Sequence, residues 1–227
     1  MRSLALFLLG TILFVYGAYT SLLVLPASPS PSLENNYRVI FFHVPSAVTS
    51  FLAFTLTLVF SILYLLKRKE SYDVYAVTSA KAGLFLITAA LISGSVWAKV
   101  AWGSYWNWDP RETAVLILWF VYVAYFALRA SIEDNEVKAR NSAVFSIFGY
   151  ATIPLSYLSS FIGFSLHPST KELKIGLDVG STLGIMMLAF ILLFISYFLI
   201  ESRAESLKLM LDELEIEKSS LGGENHG

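Results

Sequence analysis

The sequence predicts an all-α integral membrane protein with six transmembrane helices, both termini in the cytoplasm and a tryptophan-rich loop on the outer face. Composition supports this prediction, because 56% of the 227 residues are hydrophobic and only 15% are charged. The mean hydropathy is +0.65. Soluble domains are typically about a quarter charged. Six helices of roughly 20 apolar residues account for the hydrophobic content, which argues against a soluble enzyme.

Uninterrupted apolar runs mark the six predicted spans. The first run follows Arg2 and is 22 residues long, whereas the apolar core of a secretory signal has roughly 7–15, so we interpret it as an uncleaved anchor. Pro45 is expected in the first turn of the second helix, and Pro154 predicts a kink in the fifth. The predicted spans are residues 4–25, 44–66, 74–98, 113–130, 142–163 and 177–200.

Basic residues set the predicted orientation. With the N-terminus inside, eleven of the sixteen Lys and Arg residues lie on the inner side and five on the outer side. Lys81, near an inner helix end, is interpreted as snorkelling to the interface. We predict two domains, a six-helix membrane domain over residues 1–200 and a charged cytoplasmic tail over residues 201–227.

Charge and cysteine content exclude several function classes. The formal net charge is −1, so no basic field favours nucleic acid as a partner. The chain has no cysteine, which excludes disulfides, thiolate-bound metals and thioether attachment of a cofactor to this chain. No Gly-rich phosphate loop is present, so any use of ATP must come from a partner.

Residues capable of chemistry are concentrated in the predicted outer loops. His43 and His167 both fall at outer helix ends, in different loops, whereas the third histidine, His226, lies in the tail. A lone histidine at a helix end is more often structural than a ligand, but a pair on one side of the membrane favours ligation. Haem suits this pattern, since its iron takes histidine as an axial ligand, its porphyrin packs on aromatic rings and its propionates pair with cations.

Four of the five tryptophans lie in the second outer loop or at its start, as Trp97, Trp102, Trp106 and Trp108. An aromatic belt at the membrane interface explains Trp97 and is the alternative for the others. A belt does not require the accompanying Gly103 or the Asp109-Pro110-Arg111 segment. Asp109 is expected to order the loop by accepting hydrogen bonds and to cap the fourth helix.

The segment 102–113, Trp-Gly-Ser-Tyr-Trp-Asn-Trp-Asp-Pro-Arg-Glu-Thr, resembles the tryptophan-rich (WWD) signature of the CcmC/CcmF/CcsA haem-handling family of cytochrome c biogenesis. Segments 41–47 and 166–168 resemble the two histidine segments of its six-span CcmC (haem exporter protein C) branch, and the resemblance covers about residues 37–200. Tyr105 departs from the pattern, because many CcmC proteins have tryptophan there. Residues 110–113 lean toward the longer CcsA-type synthase subunits. Six spans and a single outer histidine pair favour the CcmC branch.

The resemblance implies a non-enzymatic carrier that binds haem b transiently and non-covalently on the outer face of the cytoplasmic (inner) membrane. His43 and His167 would be the axial ligands of the haem iron. The implied partners are a haem chaperone of CcmE type, an ABC-type complex of CcmA and CcmB, and a small CcmD-like membrane protein. Arg111, and after it Arg38, are our choices for the propionates. The remaining implied haem-binding residues are Trp102, Gly103, Tyr105, Trp106, Trp108 and Asp109.

Three alternatives remain at this point. A CcsA-type subunit of a haem–cytochrome c synthase would act as a lyase. A membrane b-type cytochrome would carry electrons, although such proteins usually bury histidines within their helices. A structural membrane protein with an ordinary aromatic belt would bind no haem.

Overall fold

The computed structural model describes residues 2–28, 35–162, 165–167 and 176–223, and all regular structure within these ranges is helical. A π-helical stretch, Thr20–Val24, extends the first helix, and a 3-10 turn, Asn36–Val39, leads into the second. The α-helices are α1 (Arg2–Tyr19), α2 (Ile40–Lys67), α3 (Glu70–Trp102), α4 (Pro110–Ala130), α5 (Asn135–Tyr150), α6 (Thr152–Ile162) and α7 (Leu177–Gly223).

Five helical stretches among these described residues are long and apolar enough to cross a membrane, which identifies a multi-pass membrane protein. The all-α prediction is confirmed. The fifth predicted span differs, because it is divided between α5 and α6, of 16 and 11 residues, and neither is long enough to cross alone. The five stretches are Arg2–Val24, Asn36–Lys67, Glu70–Trp102, Pro110–Ala130 and Leu177–Asp212.

The break between α5 and α6 lies at Ala151, just before the proline that predicted a kink. Pro154 has no backbone N–H, and its ring crowds the carbonyl one turn earlier, so a continuous helix is disfavoured there. Both helices pack against α4. Beyond α6, the backbone N–H of Leu166 donates to the side chain of Asp109, which directly precedes α4. Together α5 and α6 therefore return the chain from the end of α4 to its beginning.

The centre of the bundle is the long contact between α2 and α3. Small side chains allow close approach of membrane helices, and the buried face of α2 is rich in them. Gly83 on α3 leaves room for the ring of Phe54, which stacks on Tyr122 of α4 with ring centroids 3.6 Å apart. The small buried residues of α2 are Ser46, Thr49, Ser50, Ala53, Thr57 and Ser61.

Ion pairs fasten the opposite end of the bundle. Arg129 of α4 holds Asp73 of α3 through two hydrogen bonds of 2.8 Å each. Lys81 does not simply snorkel, because its Nζ lies 3.0 Å from a carboxylate oxygen of Glu201 and 2.7 Å from one of Glu205. Both acids belong to α7, which continues without a break through residue 200. The predicted tail therefore begins inside a helix that packs on the bundle.

Candidate functional site

Four chain segments converge at the end of the bundle where α4 begins. His43 lies in the first turn or so of α2, which starts at Ile40 rather than at the predicted residue 44. Trp102 is the last residue of α3, and Asp109 directly precedes α4. His167 belongs to the short described segment after α6. The residues that form the site therefore come from the start of α2, the end of α3, the start of α4 and the segment after α6.

His43 is held against α3 rather than projecting into a loop. Its Nδ1 lies 3.0 Å from the backbone carbonyl oxygen of Ala90 and 3.4 Å from the hydroxyl of Ser93. A Cβ built on Gly94 would lie only 2.8 Å from the ring carbon Cε1, so glycine makes room for the imidazole. A carbonyl oxygen only accepts hydrogen bonds, so Nδ1 carries the proton and its N–H donates a hydrogen bond to the Ala90 carbonyl. Nε2 is left with an unshared electron pair.

The carboxylate of Asp109 joins two loops and a helix start. Its Oδ1 accepts from the backbone N–H groups of Arg111 at 2.9 Å and Glu112 at 3.4 Å, which caps α4 as expected. Its Oδ2 accepts from the Ser165 hydroxyl at 2.9 Å and the Leu166 N–H at 2.6 Å. Burial raises the pKa of this carboxyl, but these hydrogen bonds outweigh it and hold the pKa below its usual value. The side chain has no solvent exposure, and the lowered pKa keeps it ionised at neutral pH.

His167 depends on the same carboxylate. Its Nδ1 lies 3.0 Å from Oδ1 of Asp109, and its side chain is 22% exposed. Burial lowers the pKa of His167, and the negative charge of Asp109 offsets this only in part. The imidazole is therefore neutral at pH 7, with its proton on Nδ1 facing Asp109 and its Nε2 unprotonated. The Trp102 ring packs edge-on against it, with centroids 4.9 Å apart.

Electrostatic contacts link these groups into one site. The guanidinium of Arg111 lies close enough for its charge to act on both imidazoles. The structure thus brings together the two histidines and the arginine that the sequence singled out. Two imidazoles are too few to hold a bare ion, and the described residues contain no cluster of three or more His, Asp or Glu ligands. A porphyrin brings four nitrogens of its own, so a pair of axial imidazoles suits haem iron.

The tryptophan-rich loop forms an aromatic surface beside the histidines. Gly103 ends α3 in the left-handed conformation, at φ +84°, where its N–H donates to the carbonyl of Lys99. Trp108 also has a positive φ, +54°, which is uncommon for a bulky residue. Its ring meets that of Trp106 edge-on at 5.9 Å and is 73% exposed, and Tyr105 is 61% exposed. The loop therefore presents flat rings to its surroundings instead of burying them.

Arg38, the second choice for a propionate partner, has other contacts. Its guanidinium donates to the backbone carbonyls of Ser21 and Leu25 and to the side chain of Asn35. The two carbonyls end the first helical stretch, where no further helical N–H groups are available to them. These contacts favour a structural role for Arg38 over a contact with a propionate.

Sequence reasoning missed the residues that orient the histidines. Ala90 and Gly94 are one turn apart on the face of α3 that contacts His43, and they carry no chemically distinctive side chain. Ser165 was also missed. It donates to Asp109, and its Oγ accepts from the His167 N–H at 3.2 Å. Gly94 was the one signal in the sequence, because a glycine within an apolar run indicates that another group approaches the backbone closely there. His226 and Pro168 lie outside the described residues.

Comparison with known proteins assigns the family. The family model described as heme exporter protein C (CcmC) matches residues 2–217. The chain is 31% identical over 191 residues to a heme exporter protein C of Bradyrhizobium diazoefficiens, covering 81% of this chain and 72% of that protein. It is 32% identical over 174 residues to that of Paracoccus denitrificans, covering 74% and 72%. It is 27% identical over 179 residues to that of Escherichia coli, covering 79% and 73%. Because the family model matches nearly the whole chain and two relatives are more than 30% identical over more than two thirds of both sequences, the chain belongs to the heme exporter protein C family.

Proposed function

We propose that this protein binds haem on the outer face of the cytoplasmic (inner) membrane and delivers it to a haem chaperone of CcmE type for maturation of c-type cytochromes. One observation carries the proposal. His43 and His167 each direct Nδ1 to an acceptor within the protein, which leaves both Nε2 atoms free to ligate iron. Such an outer partner on Nδ1 is what fixes the tautomer of metal-ligating histidines in proteins.

The other site residues have complementary roles in this proposal. Arg111, whose charge acts on both imidazoles, pairs with a haem propionate. Trp102 supports His167, and the exposed rings of Tyr105 and Trp108 contact the porphyrin edge or face. The ligands are exchangeable histidines and the chain has no cysteine for a thioether bond, so haem b is held non-covalently and can be released.

The proposed topology places this site on the outer face. We count α5 and α6 as one crossing, because together they run back along α4, which gives six crossings in all. Both termini then lie in the cytoplasm. The short connection after α2, which carries Lys67, Arg68 and Lys69, lies on the same side, in keeping with the positive-inside rule. The end of the bundle with His43 and His167 therefore faces outward.

The family assignment supports the proposed partners. The relatives are named heme exporter proteins, which favours transport or delivery over catalysis. We propose a CcmE-type chaperone as the acceptor, an ABC-type complex of CcmA and CcmB as the source of energy for release, and a small CcmD-like membrane protein as a further subunit.

Absorption spectra of purified variants test the proposal. The parent protein should carry a six-coordinate, low-spin haem, and His43→Ala and His167→Ala should each weaken or lose it. His226→Ala removes the third histidine and is the matched control, so its spectrum should equal that of the parent. Unchanged spectra in both site variants would refute the ligand assignment. Trp106→Ala should reduce haem retention with less effect on folding.

Reconstitution distinguishes the carrier from the synthase alternative. The residues 110–113 resemble those of CcsA-type subunits, which makes this the competing function to exclude. The carrier proposal expects haem to reach a CcmE-type chaperone and not an apocytochrome supplied alone. Thioether-bound haem on the apocytochrome in the absence of any chaperone would instead identify a synthase.

A further inference from the structure

Asp109 accepts hydrogen bonds from five residues at the site, although its side chain is buried. Its two oxygens accept from Arg111, Glu112, Ser165, Leu166 and His167, and its side chain has no solvent exposure. Four of these contacts fix the position of the carboxylate. The fifth, to Nδ1 of His167, is therefore made by an anion that cannot move away from the ring.

The two histidines consequently have different acceptors. His43 donates Nδ1–H to a neutral backbone carbonyl, that of Ala90, at 3.0 Å. His167 donates Nδ1–H to the carboxylate of Asp109, also at 3.0 Å. Hydrogen bonds to an ionised acceptor are roughly twice as strong as those between neutral groups. A carboxylate on the outer nitrogen also makes the inner nitrogen of a ligating imidazole more basic.

We propose that Asp109 is the positioning residue of the haem site, which orients and polarises His167 so that the two axial ligands are unequal. This inference rests on the proposed haem-binding function. His167 is then the stronger electron donor to iron and His43 the weaker. Stronger donation stabilises ferric over ferrous iron, since the ferric ion carries the larger positive charge.

If Asp109 had only a structural role, its loss would have a different effect on bound haem. If Asp109 only caps α4 and ties the loops together, its loss lowers stability or haem retention without changing the donor strength of His167. A positioning role also changes the reduction potential of bound haem, because the potential follows the electron donation of the axial ligand. The potential is therefore the decisive measurement.

The first experiment compares Asp109→Asn with Glu112→Gln in the haem-loaded, full-length protein. Glu112 is the matched control, because its charge also acts on His167 but its carboxylate accepts from the Asn107 N–H instead of from the imidazole. Asp109→Asn should lower ferric relative to ferrous affinity by about tenfold, a rise in potential of about 59 mV for one electron. Glu112→Gln should produce a smaller rise. Equal shifts in the two variants, or none in Asp109→Asn, would overturn the proposal.

A second experiment keeps Asp109 in place, since Asp109→Asn removes a cap and can fail to fold. In His167→Gly, added imidazole can bind iron through one nitrogen and donate an N–H hydrogen bond to Asp109 through the other. 1-Methylimidazole, bound through its unsubstituted nitrogen, has no N–H to donate. The same comparison in His43→Gly reports on the neutral Ala90 carbonyl. The preference for imidazole over 1-methylimidazole should be roughly tenfold greater in His167→Gly than in His43→Gly. Equal preferences would contradict the unequal ligands.

The failure of this inference is distinguishable from that of the proposed function. If the parent protein shows no haem spectrum that depends on His43 and His167, the haem-binding function itself is wrong. If the parent binds haem through both histidines but neither experiment shows a difference, only the role of Asp109 is refuted.

Discussion

Gly94 lies against the ring of His43, and its replacement by alanine tests whether the position of that ring matters. The new Cβ would lie 2.8 Å from Cε1 and 3.2 Å from Nδ1. Carbon atoms in good contact are about 3.5–4.0 Å apart, so the ring must move off α3 by roughly 0.7 Å. The Nδ1 to Ala90 oxygen distance then grows from 3.0 Å to about 3.7 Å, which is too long for a hydrogen bond.

Loss of that hydrogen bond sets the expected decrease in haem affinity. A typical intramolecular hydrogen bond contributes about 0.5–1.5 kcal/mol, which corresponds to roughly 2- to 12-fold weaker haem binding in Gly94→Ala. The assay is a haem titration of the purified protein in detergent, followed at the Soret band, with thermal unfolding measured in parallel. Overpacking adds a stability cost of about 1–3 kcal/mol, so binding must be measured where both proteins are folded.

Gly184→Ala is the control for Gly94→Ala. Gly184 lies inside α7, and no described atom beyond the neighbouring backbone of its own helix lies within 4 Å of a Cβ built on it, so the same substitution adds a methyl group without crowding. Its haem affinity should equal that of the parent. If Gly94→Ala binds haem with the affinity and spectrum of the parent, then His43 is not held as described or is not a ligand.

Three further predictions concern stability. Asp73→Asn should destabilise the protein by about 3 kcal/mol in detergent, because it leaves the mostly buried guanidinium of Arg129 without its carboxylate partner. The double variant Asp73→Asn/Arg129→Gln removes both charges, so it should recover part of the lost stability in thermal unfolding. Lys81→Met should lower the free energy of unfolding by less than about 1 kcal/mol, since the two carboxylate partners of Lys81 are each about a third exposed. Amide hydrogen exchange around Glu201 and Glu205 should nevertheless accelerate. Unchanged exchange would mean that these ion pairs do not hold α7 against α3. Because the pKa of Asp109 is lowered in the folded state, its carboxylate should stabilise the haem-free protein at pH values above the usual pKa of an aspartate. That contribution should be lost as the pH falls through the lower pKa of the folded state. The difference in melting temperature between the parent and Asp109→Asn should therefore narrow in acid, and a constant difference would contradict this sign.

Helix positions were largely predictable, whereas helix ends were not. Apolar runs located α1 to α4 and α7, because a membrane span requires about 20 apolar residues in sequence. The start of α2 at Ile40 was missed. The kink expected at Pro154 is a break at Ala151, which divides the fifth predicted span into α5 and α6. Those boundaries depend on which backbone N–H and C=O groups are hydrogen-bonded at each helix end, and a hydropathy pattern carries no information about these hydrogen bonds.

The candidate site was partly visible in the sequence. His43 and His167 were singled out from their matched positions relative to the predicted spans, and Arg111 from its charge. Outside the site, the contact of Lys81 with Glu201 and Glu205 was not foreseen, because Lys81 is separated from these acids by 120 and 124 positions in the sequence. Arg38 was chosen for its charge, but its contacts are with the end of the first helical stretch.

By itself, the sequence determined that the chain is a helical membrane protein and that His43, His167 and the tryptophan-rich segment lie near the ends of its apolar runs. Hydrophobicity and residue type are local properties, so they can be read along the chain. The tertiary structure decided which nitrogen of each histidine is free. The acceptor for His43 is a backbone carbonyl 47 positions away, and that for His167 is a carboxylate 58 positions away. Such pairings depend on how α2 lies against α3 and how the loop after α6 meets the start of α4, and both arise from contacts between residues far apart in the chain.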